Sequence, residues 1–208
     1  MIGSEIVSDY LARLASRKPT PGGGAAAALH AAQGAALVAM VARYTSGAKY
    51  EEHAPTVERI TRIADAQIAE ALRLADADEQ AFQAVIDSYK HPSYTAKLRI
   101  AREASIQAAL TQAAQVPVQL IKVAGTVVDL ADELFDIANA NVISDVAAAA
   151  DAARAAATTA RVNIDINVVA LKAGTARTQL EYQTSRIEEK VIIKADSLIE
   201  RVRKRILS

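Results

Sequence analysis

Cysteine is absent from this sequence of 208 residues. The chain therefore has no disulfide, no thiol nucleophile and no cysteine-ligated metal site. The absence fits a reducing compartment, and we expect the protein to be cytoplasmic. The N-terminus also lacks the basic flank and the long apolar run that a signal peptide requires.

A surplus of charge of either sign is also missing, because 24 Lys and Arg residues balance 24 Asp and Glu residues. Proteins that bind nucleic acid or an anionic membrane usually carry a basic surplus, so we expect neither as the main partner. The three histidines, His30, His53 and His91, are isolated from one another, and no Glu-x-x-His or His-x-x-x-His spacing occurs. The sequence therefore predicts no metal site of the helical-bundle type.

Helix-breaking residues are few, since the chain has five prolines and eight glycines, and several of these cluster between positions 19 and 24. No β-type alternation extends beyond a few residues, and no internal repeat is visible. The pattern predicts an all-α fold, an up-and-down bundle of long antiparallel helices that forms a single domain over residues 1–208. The expected helices cover about residues 4–16, 23–46, 56–90, 93–138 (with a bend near Pro117), 143–172 and 176–206.

Residues 25–42 form the longest apolar run, with only His30 and Gln33 as clearly polar side chains. The run is close to the length of a membrane-spanning helix, but it is mostly alanine and has few large apolar residues. We therefore interpret it as a buried core helix and expect no membrane association. Flat faces of small residues also permit close helix pairing between two chains, and a homodimer is expected.

Asp78 interrupts the apolar stripe of the third helix. Ala71, Ala75, Phe82 and Val85 follow the helical spacing of three and four residues, and Asp78 lies in phase with them. Burial there would raise the pKa of the carboxyl group and make it a usable general acid or base. The alternative is a structural acid, hydrogen-bonded to a neighbouring backbone group or arginine.

Asp145 lies near the start of the fifth helix, on the face opposite its polar stripe. Asn163 has almost the same azimuth on this helix, but it lies about 27 Å further along the axis. Within one helix, one small substrate cannot reach both, so they would serve different ends of a site built with other helices, or different sites. The alternative role for Asp145 is to stabilise the helix dipole behind a Ser144 cap.

The run from Pro19 to Gly24 precedes the most apolar helix. Free N–H groups at a helix start attract anions, and glycines let a flat ring or another backbone come close. The alternative is a rigid turn that permits tight helix packing. Lys49 and Tyr50 follow Gly47 at the end of the second helix, where they could hold a carboxylate and an aromatic ring, or simply be solvated.

Together, these motifs resemble one known family. Leu14-Ala15-Ser16 followed by the run from Pro19 to Ala28 is similar to the opening signature of the formiminotransferase-cyclodeaminase C-terminal family, which includes stand-alone methenyltetrahydrofolate cyclohydrolases. The resemblance covers about residues 5–170. It continues in order through Gly34 to Val38, Lys49-Tyr50, Asp78 with Ala81-Phe82, Val116-Pro117, Asn141 to Asp145, Asn163 and Asn167.

The resemblance implies an enzyme that acts on a tetrahydrofolate one-carbon derivative. Water would open the cationic methenyl ring, or N10 would close onto a formimino group with loss of ammonia. Neither reaction needs a metal or a redox cofactor, so none is expected beyond the folate substrate. Two alternatives remain, a non-enzymatic helical scaffold and a folate-binding protein without turnover.

On this reading, the site residues fall into two groups. Asp145 and Asp78 would move protons and stabilise the cation. The substrate-binding residues would be Gly22, Gly23 and Gly24 as a wall for the ring, Asn141 and Ser144 as hydrogen-bonding groups for the pteridine or for water, and Lys49 for the glutamate tail. Their neighbours Pro21 and Tyr50 are also expected to bind the substrate.

Overall fold

The computed structural model describes all residues in full except 175 and 176, of which only the helical backbone is described. The chain forms six α-helices and, in the part that the structure describes, no strand, so the predicted all-α fold is confirmed. The helices are α1 (Val7–Leu14), α2 (Gly23–Tyr44), α3 (Ala54–Tyr89), α4 (Ala96–Ile137), α5 (Ile143–Ala170) and α6 (Thr175–Leu207).

The helix boundaries follow from turn and capping residues in the sequence. Gly22 precedes α2 in an extended conformation, and Gly47 adopts a φ of 89°, which a glycine tolerates without strain. The Thr95 hydroxyl accepts a hydrogen bond from the backbone N–H of Leu98 at 3.2 Å and caps α4. Pro117 lies inside α4, which continues on both sides of it from Ala96 to Ile137.

The core is built around α2, which packs against α3, α4 and α5. Its buried face is almost entirely alanine, glycine and valine. A Cβ atom on Gly34 would lie 3.0 Å from the carbonyl oxygen of Ala149, so glycine at this position lets α2 and α5 approach closely. These small side chains bring the helices together over their whole length.

By length and composition alone, α2 could span a membrane. However, 61% of its most apolar window is buried inside the bundle, against the neighbouring helices. The burial agrees with the prediction of a core helix.

Two helices bury only part of the apolar stripe that their sequences predict. On α3, the stripe is buried from Val57 to Ala75, but Phe82 and Tyr89 are exposed. This end of α3 contacts the start of α4, where the Arg102 guanidinium donates to the Tyr89 carbonyl at 2.9 Å, instead of the main core. On α6, the helical spacing of Val191, Ala195, Leu198, Val202 and Ile206 predicts a second apolar stripe. The first four of these residues are buried, whereas Ile206 is exposed in the last turn of the helix.

Candidate functional site

A cleft of about 270 Å³ opens where the loop from Pro19 to Gly22 leads into α2. Its walls come from that loop and the first residues of α2, from the C-terminal third of α3 and from the C-terminal half of α5, with one residue of α4. We call it the glycine cleft. The lining residues are Pro19, Thr20, Gly22, Gly23, Gly24, Asp78, Ala81, Phe82, Ala113, Asn163, Ile166 and Asn167.

The carboxyl group of Asp78 lies directly against the backbone of Gly24. A Cβ atom at position 24 would lie 2.0 Å from Asp78 Oδ1 and 2.3 Å from its Cγ, far inside van der Waals contact. The carboxylate also accepts a hydrogen bond from the backbone N–H of Ala25, in the first turn of α2. The third glycine of the run therefore makes the space that the acid occupies.

Burial and, to a smaller extent, the negative charge of Glu79 raise the pKa of Asp78 to about 6. The hydrogen bond from Ala25 acts in the opposite direction, because it favours the ionised form. A carboxyl group with a pKa near 6 exists in both protonation states close to neutral pH. It can therefore both accept and donate a proton, as acid–base catalysis requires.

Behind Asp78, an ion-pair network joins α1 to α3. The Arg13 guanidinium lies 3.2 Å from Glu79 Oε1 and 2.9 Å from Glu5 Oε1. The Tyr10 side chain lies beside these groups and is buried, and burial and the charge of Glu79 raise the pKa of its hydroxyl. Sequence reasoning missed this network, because its members are far apart along the chain and none interrupts an apolar pattern.

The opposite wall of the cleft is formed by two asparagines, one turn apart on α5. A Cβ atom at Gly23 would lie 3.4 Å from Asn163 Nδ2, so Asn163 faces the second glycine of the run. Its side-chain amide donates to the Thr159 carbonyl, and that of Asn167 donates to the Asn163 carbonyl, both at 2.9 Å. These hydrogen bonds fix the two amide groups on the wall, where they can meet the polar edge of a ligand.

The cleft also has an apolar side. Phe82 is 44% exposed and Ile166 is 65% exposed, and both line the cleft. An apolar surface beside bare glycine backbone and two amide groups suits a flat heterocycle with polar edges. The apolar spacing of α3 predicted Phe82 to be a core residue, and this prediction is wrong because Phe82 lies at the cleft.

The remaining predicted residues lie at the other end of α2 and α5, which we call the asparagine end. The loop between α4 and α5 is tied to the end of α2, because the Asn139 amide donates to the Tyr44 carbonyl at 2.9 Å and its backbone N–H donates to Thr45 Oγ1 at 3.1 Å. The next residues, Asn141 and Ser144, are exposed.

Asp145 is half-buried in the first turn of α5. The helix begins at Ile143, and no side chain caps its N-terminus, so the alternative in which Ser144 acts as the cap is wrong. The N-terminal position itself favours the negative charge of Asp145 through the helix dipole.

Lys49 and Tyr50 lie in the short 3-10 segment Ala48–His53, which follows α2. The Lys49 ammonium group lies 5.3 Å from the centre of the Tyr50 ring, within range of a cation–π contact. Lys49 is exposed and Tyr50 is half-buried. The pair is therefore accessible to a ligand that approaches the asparagine end.

The structure thus divides the predicted site residues between two ends of one helix pair. Asp78 and Gly22 to Gly24 line the glycine cleft, with Pro21 buried beside them. Lys49, Tyr50, Asn141, Ser144 and Asp145 belong to the opposite end. Asn163 in the cleft and Asp145 are 18 residues apart on α5, which corresponds to about 27 Å. Among the fully described residues, no group of three or more His, Asp or Glu side chains could hold a metal ion.

The formiminotransferase-cyclodeaminase family model matches residues 6–186 of the chain. The chain is 38% identical over 172 residues to a methenyltetrahydrofolate cyclohydrolase of Methylorubrum extorquens, a match that covers 82% of this chain and 83% of that protein. It is 33% identical over 160 residues to the formimidoyltransferase-cyclodeaminase of Mus musculus, with 76% of this chain and 30% of the mouse protein covered.

A solved structure has the same fold. The crystal structure of formiminotetrahydrofolate cyclodeaminase from Thermotoga maritima superposes with a TM-score of 0.85, at 28% sequence identity. The match covers 97% of this chain and 99% of that one. The similarity therefore extends over the whole helical bundle.

Proposed function

This chain belongs to the formiminotransferase-cyclodeaminase family, and we propose that it is an enzyme of one-carbon folate metabolism that acts on the N5–C–N10 bridge of tetrahydrofolate. The preferred reaction is hydrolysis of 5,10-methenyltetrahydrofolate to 10-formyltetrahydrofolate. The identity to a methenyltetrahydrofolate cyclohydrolase over 83% of that protein's length favours it. The observation that carries the proposal is the Asp78 carboxyl, held against Gly24 in a cleft shaped for a flat ring.

In the hydrolysis, water adds to the bridging carbon of the cationic ring and loses a proton, which gives a tetrahedral intermediate. The C–N5 bond then breaks and N5 takes up a proton. The hydroxyl oxygen of the intermediate loses its proton to solvent as the carbonyl forms, and the formyl group stays on N10. We assign the first proton transfer to ionised Asp78 as general base and the second to the same carboxyl group, now protonated, as general acid. Its pKa of about 6 suits both steps.

The negative charge of a carboxylate also stabilises the methenyl cation before water attacks. In our proposal the pteridine lies against the glycine backbone, with Phe82 on its apolar side and the amides of Asn163 and Asn167 at its polar edge. Lys49 and Tyr50 bind the glutamate tail. Asn141, Ser144 and Asp145 lie about 27 Å from Asn163, so within one chain they serve another end of the site and not the bridge held in the cleft.

Cyclodeamination of 5-formiminotetrahydrofolate is the second candidate reaction. The fold shared with the Thermotoga maritima cyclodeaminase favours it. In this reaction N10 attacks the formimino carbon, ammonia leaves, and a methenyl bridge forms. The leaving ammonia needs the same proton transfer at the same carbon, so Asp78 would serve both reactions.

We further propose that the enzyme needs no metal or redox cofactor, because each step is a proton transfer or an addition at carbon. We also propose that it works in the cytoplasm as a homodimer. Two alternatives make different predictions. A helical scaffold would neither bind tetrahydrofolate derivatives nor turn them over, and a folate-binding protein would bind them without turnover.

Two activity assays, one for each substrate, test the proposal. Purified protein is incubated with methenyltetrahydrofolate, with loss of the methenyl absorbance as the signal, and separately with 5-formiminotetrahydrofolate, with ammonia release as the signal. We expect turnover of the first substrate above the uncatalysed rate, and a decrease of about 100-fold or more in kcat for Asp78→Asn.

Asp87→Asn is the matched control, because Asp87 is an exposed acid on the same helix. Absence of turnover on both substrates would contradict the enzyme proposal. Calorimetry would then separate the alternatives: a folate-binding protein still binds tetrahydrofolate derivatives, whereas a scaffold does not. Turnover that persists in Asp78→Asn would contradict the assigned role of this acid.

A further inference from the structure

One wall of the glycine cleft is a loop that is hydrogen-bonded to the end of α1. We call residues 15–22, which join α1 to α2, the cleft loop, and three of its residues line the cleft. Its first five residues are exposed. The Ser16 hydroxyl donates to the Arg13 carbonyl at 2.7 Å and accepts from the Lys18 N–H at 3.2 Å. The position of this wall therefore depends on how the end of α1 is held.

Helix α1 has little buried surface of its own. Among its eight residues, all of which the structure describes, Tyr10 alone is buried. Val7 is 72% exposed and Leu11 is 53% exposed, and the extensive helix packing of the fold is among α2 to α6. A short helix with so few buried contacts is held in place mainly by specific side-chain interactions.

Arg13, in the last turn of α1, makes such an interaction with α3. Its guanidinium donates to both carboxylate oxygens of Glu5, at 2.9 and 3.0 Å, and to Glu79 Oε1 at 3.2 Å. The side chains of Arg13 and Glu79 are 33% and 23% exposed, so protein covers most of the pair. Hydrogen bonds between charged groups are stronger than neutral ones, and the pair with Glu5 is bidentate. Arg13 therefore fixes the end of α1 to α3.

The other end of the cleft loop is fixed to the neighbouring residue of α3. There the Asp78 carboxylate lies against Gly24 and accepts a hydrogen bond from the Ala25 N–H. Because Asp78 and Glu79 are adjacent, the chain leaves α3 and returns to the same turn of it, as in a compact surface loop with close ends. Without the pair between Arg13 and Glu79, the cleft loop would be attached to α3 at one end only.

We propose that Arg13 is a positioning residue of the glycine cleft, and that its ion pair with Glu79 holds the cleft loop in the place where it meets the substrate. The identity of that substrate rests on the proposed function. Arg13 is not among the residues that line the cleft, so it acts through the loop and not by touching the ligand.

This role predicts an effect on binding that is larger than the effect on the chemical step. A ligand binds tightly only to molecules whose loop is in place, so its apparent affinity falls with the fraction of such molecules. Once bound, the ligand itself holds the loop against the cleft. The proton transfers at Asp78 should then depend little on Arg13.

The central test is Arg13→Met, which keeps an unbranched apolar side chain and removes the charge. We expect KM for methenyltetrahydrofolate to rise about fivefold and kcat to stay within about twofold of wild type. The dissociation constant of 5-formyltetrahydrofolate, measured by calorimetry without turnover, should rise by the same factor. Arg13→Lys keeps the cation and should recover most of the affinity.

Lys194→Met is the matched control, because Lys194 also joins two helices by pairing with two acids. It lies 2.7 Å from Asp129 Oδ1 and 3.1 Å from Asp132 Oδ2, on α4, and none of the three lines the cleft. Its substitution should leave both KM and the dissociation constant within about twofold of wild type. Equal losses of affinity in Arg13→Met and Lys194→Met would overturn the proposal.

A second substitution tests whether Arg13 acts through Glu79. Glu79→Gln removes the acceptor on α3, so it should weaken binding of 5-formyltetrahydrofolate as much as Arg13→Met does. The measurement is made at pH 8, above the pKa of about 6 that Asp78 has, so that this acid is ionised in every variant. Adding Arg13→Met to Glu79→Gln should cause no further loss, because one interaction is lost only once. Additive losses would contradict the assignment.

Hydrogen exchange followed by mass spectrometry tests the loop without any folate. In Arg13→Met, peptides that cover residues 11–24 should exchange several-fold faster than in the wild type, because this segment opens more often. The same peptides should be unchanged in Lys194→Met. Circular dichroism checks that each variant keeps its helices, and Arg13→Lys and Glu79→Gln provide milder changes at the same pair.

The outcomes separate this proposal from the proposed function. Weaker binding with near-normal kcat, recovery in Arg13→Lys and faster exchange of the cleft loop would support the role of Arg13. Unchanged exchange in Arg13→Met, or a fall in kcat without a change in KM, would overturn it. If the wild-type protein turns over neither folate substrate, the proposed function fails, and the hydrogen exchange result alone decides whether Arg13 holds the loop.

Discussion

The two ends of the α2–α5 helix pair place a carboxylate in opposite environments. At the glycine cleft, Asp78 is pressed against backbone in a partly dry site next to Glu79, and its pKa rises to about 6. At the asparagine end, Asp145 lies in the first turn of a helix, where the dipole favours its charge. The same side chain thus meets packed backbone at one end and the first turn of a helix at the other.

The comparison shows that the surrounding backbone, and not the type of side chain, distinguishes Asp78 from Asp145. Asp78 meets the flank of α2, where glycine leaves room for it, and only one backbone N–H compensates its burial. Asp145 lies in the first turn of its own helix, at the end with free N–H groups. Three experiments test this difference between the two acids.

The largest effect is expected from adding one methyl group at the cleft. Gly24→Ala places a carbon 2.0 Å from Asp78 Oδ1, so the carboxyl must move away from Ala25 and from the substrate. We expect kcat to fall about 100-fold, because a displacement of about 1 Å has this cost for a catalytic group. Steady-state kinetics on methenyltetrahydrofolate measure it.

Gly174→Ala is the control, since no atom lies within 4 Å of a Cβ at that position and the residue does not line the glycine cleft. We expect its activity to stay within about twofold of wild type, the range of an uncrowded surface substitution. Equal losses in both variants would show that the space at position 24 does not control the acid.

The second effect is on the free energy of unfolding, which Asp78→Asn and Asp145→Asn should change in opposite directions. Because the pKa of Asp78 is higher in the folded chain than its usual 3.8, the folded state binds the proton more tightly, and stability falls as pH rises from about 4 to 6. At pH 8, Asp78→Asn should therefore raise the free energy of unfolding by about 1 to 3 kcal/mol. Below pH 4 the gain should disappear.

Asp145→Asn should instead lower stability at pH 8 by about 0.3 to 1 kcal/mol, because it removes a favourable charge at a helix start. Urea unfolding at both pH values checks the pair. A stabilising Asp145→Asn would remove the contrast between the two ends.

The smallest effect is expected from the network behind the cleft. Glu79→Gln removes the negative charge that helps to raise the pKa of Asp78, while Arg13 keeps its pair with Glu5. Asp78 must be ionised to act as a base, so the acidic limb of the kcat profile should move to lower pH. Asp87→Asn, which removes an exposed charge further along α3, should leave the limb unchanged.

Most of the fold could be predicted from the sequence. The helix boundaries follow from apolar spacing and from local breakers such as Gly22, Gly47 and Gly174, and each observed helix lies within a few residues of its expected range. These are local signals, and long periodic helices make them strong. The family resemblance, which depended on short motifs in a fixed order, is confirmed over residues 6–186.

The site could be predicted only in part. Asp78 was detectable because a charge in an apolar stripe is a local anomaly. Its contact with Gly24, 54 positions earlier, depends on how α2 and α3 pack and has no signature in either segment. The same holds for Arg13 and Glu79. The exposure of Phe82 was predicted wrongly, because helical spacing shows which face a residue shares and not where the neighbouring helices end.

The contact between Gly24 and Asp78 predicts which residues related sequences carry at these two positions. The acid is accommodated by a missing side chain, so the two positions constrain each other: a chain that replaces the glycine has no room for the acid, and one that loses the acid no longer needs the glycine. Among relatives, the two residues should be kept or lost together. This pair, more than either residue alone, would distinguish chains that retain the chemistry from those that retain only the bundle.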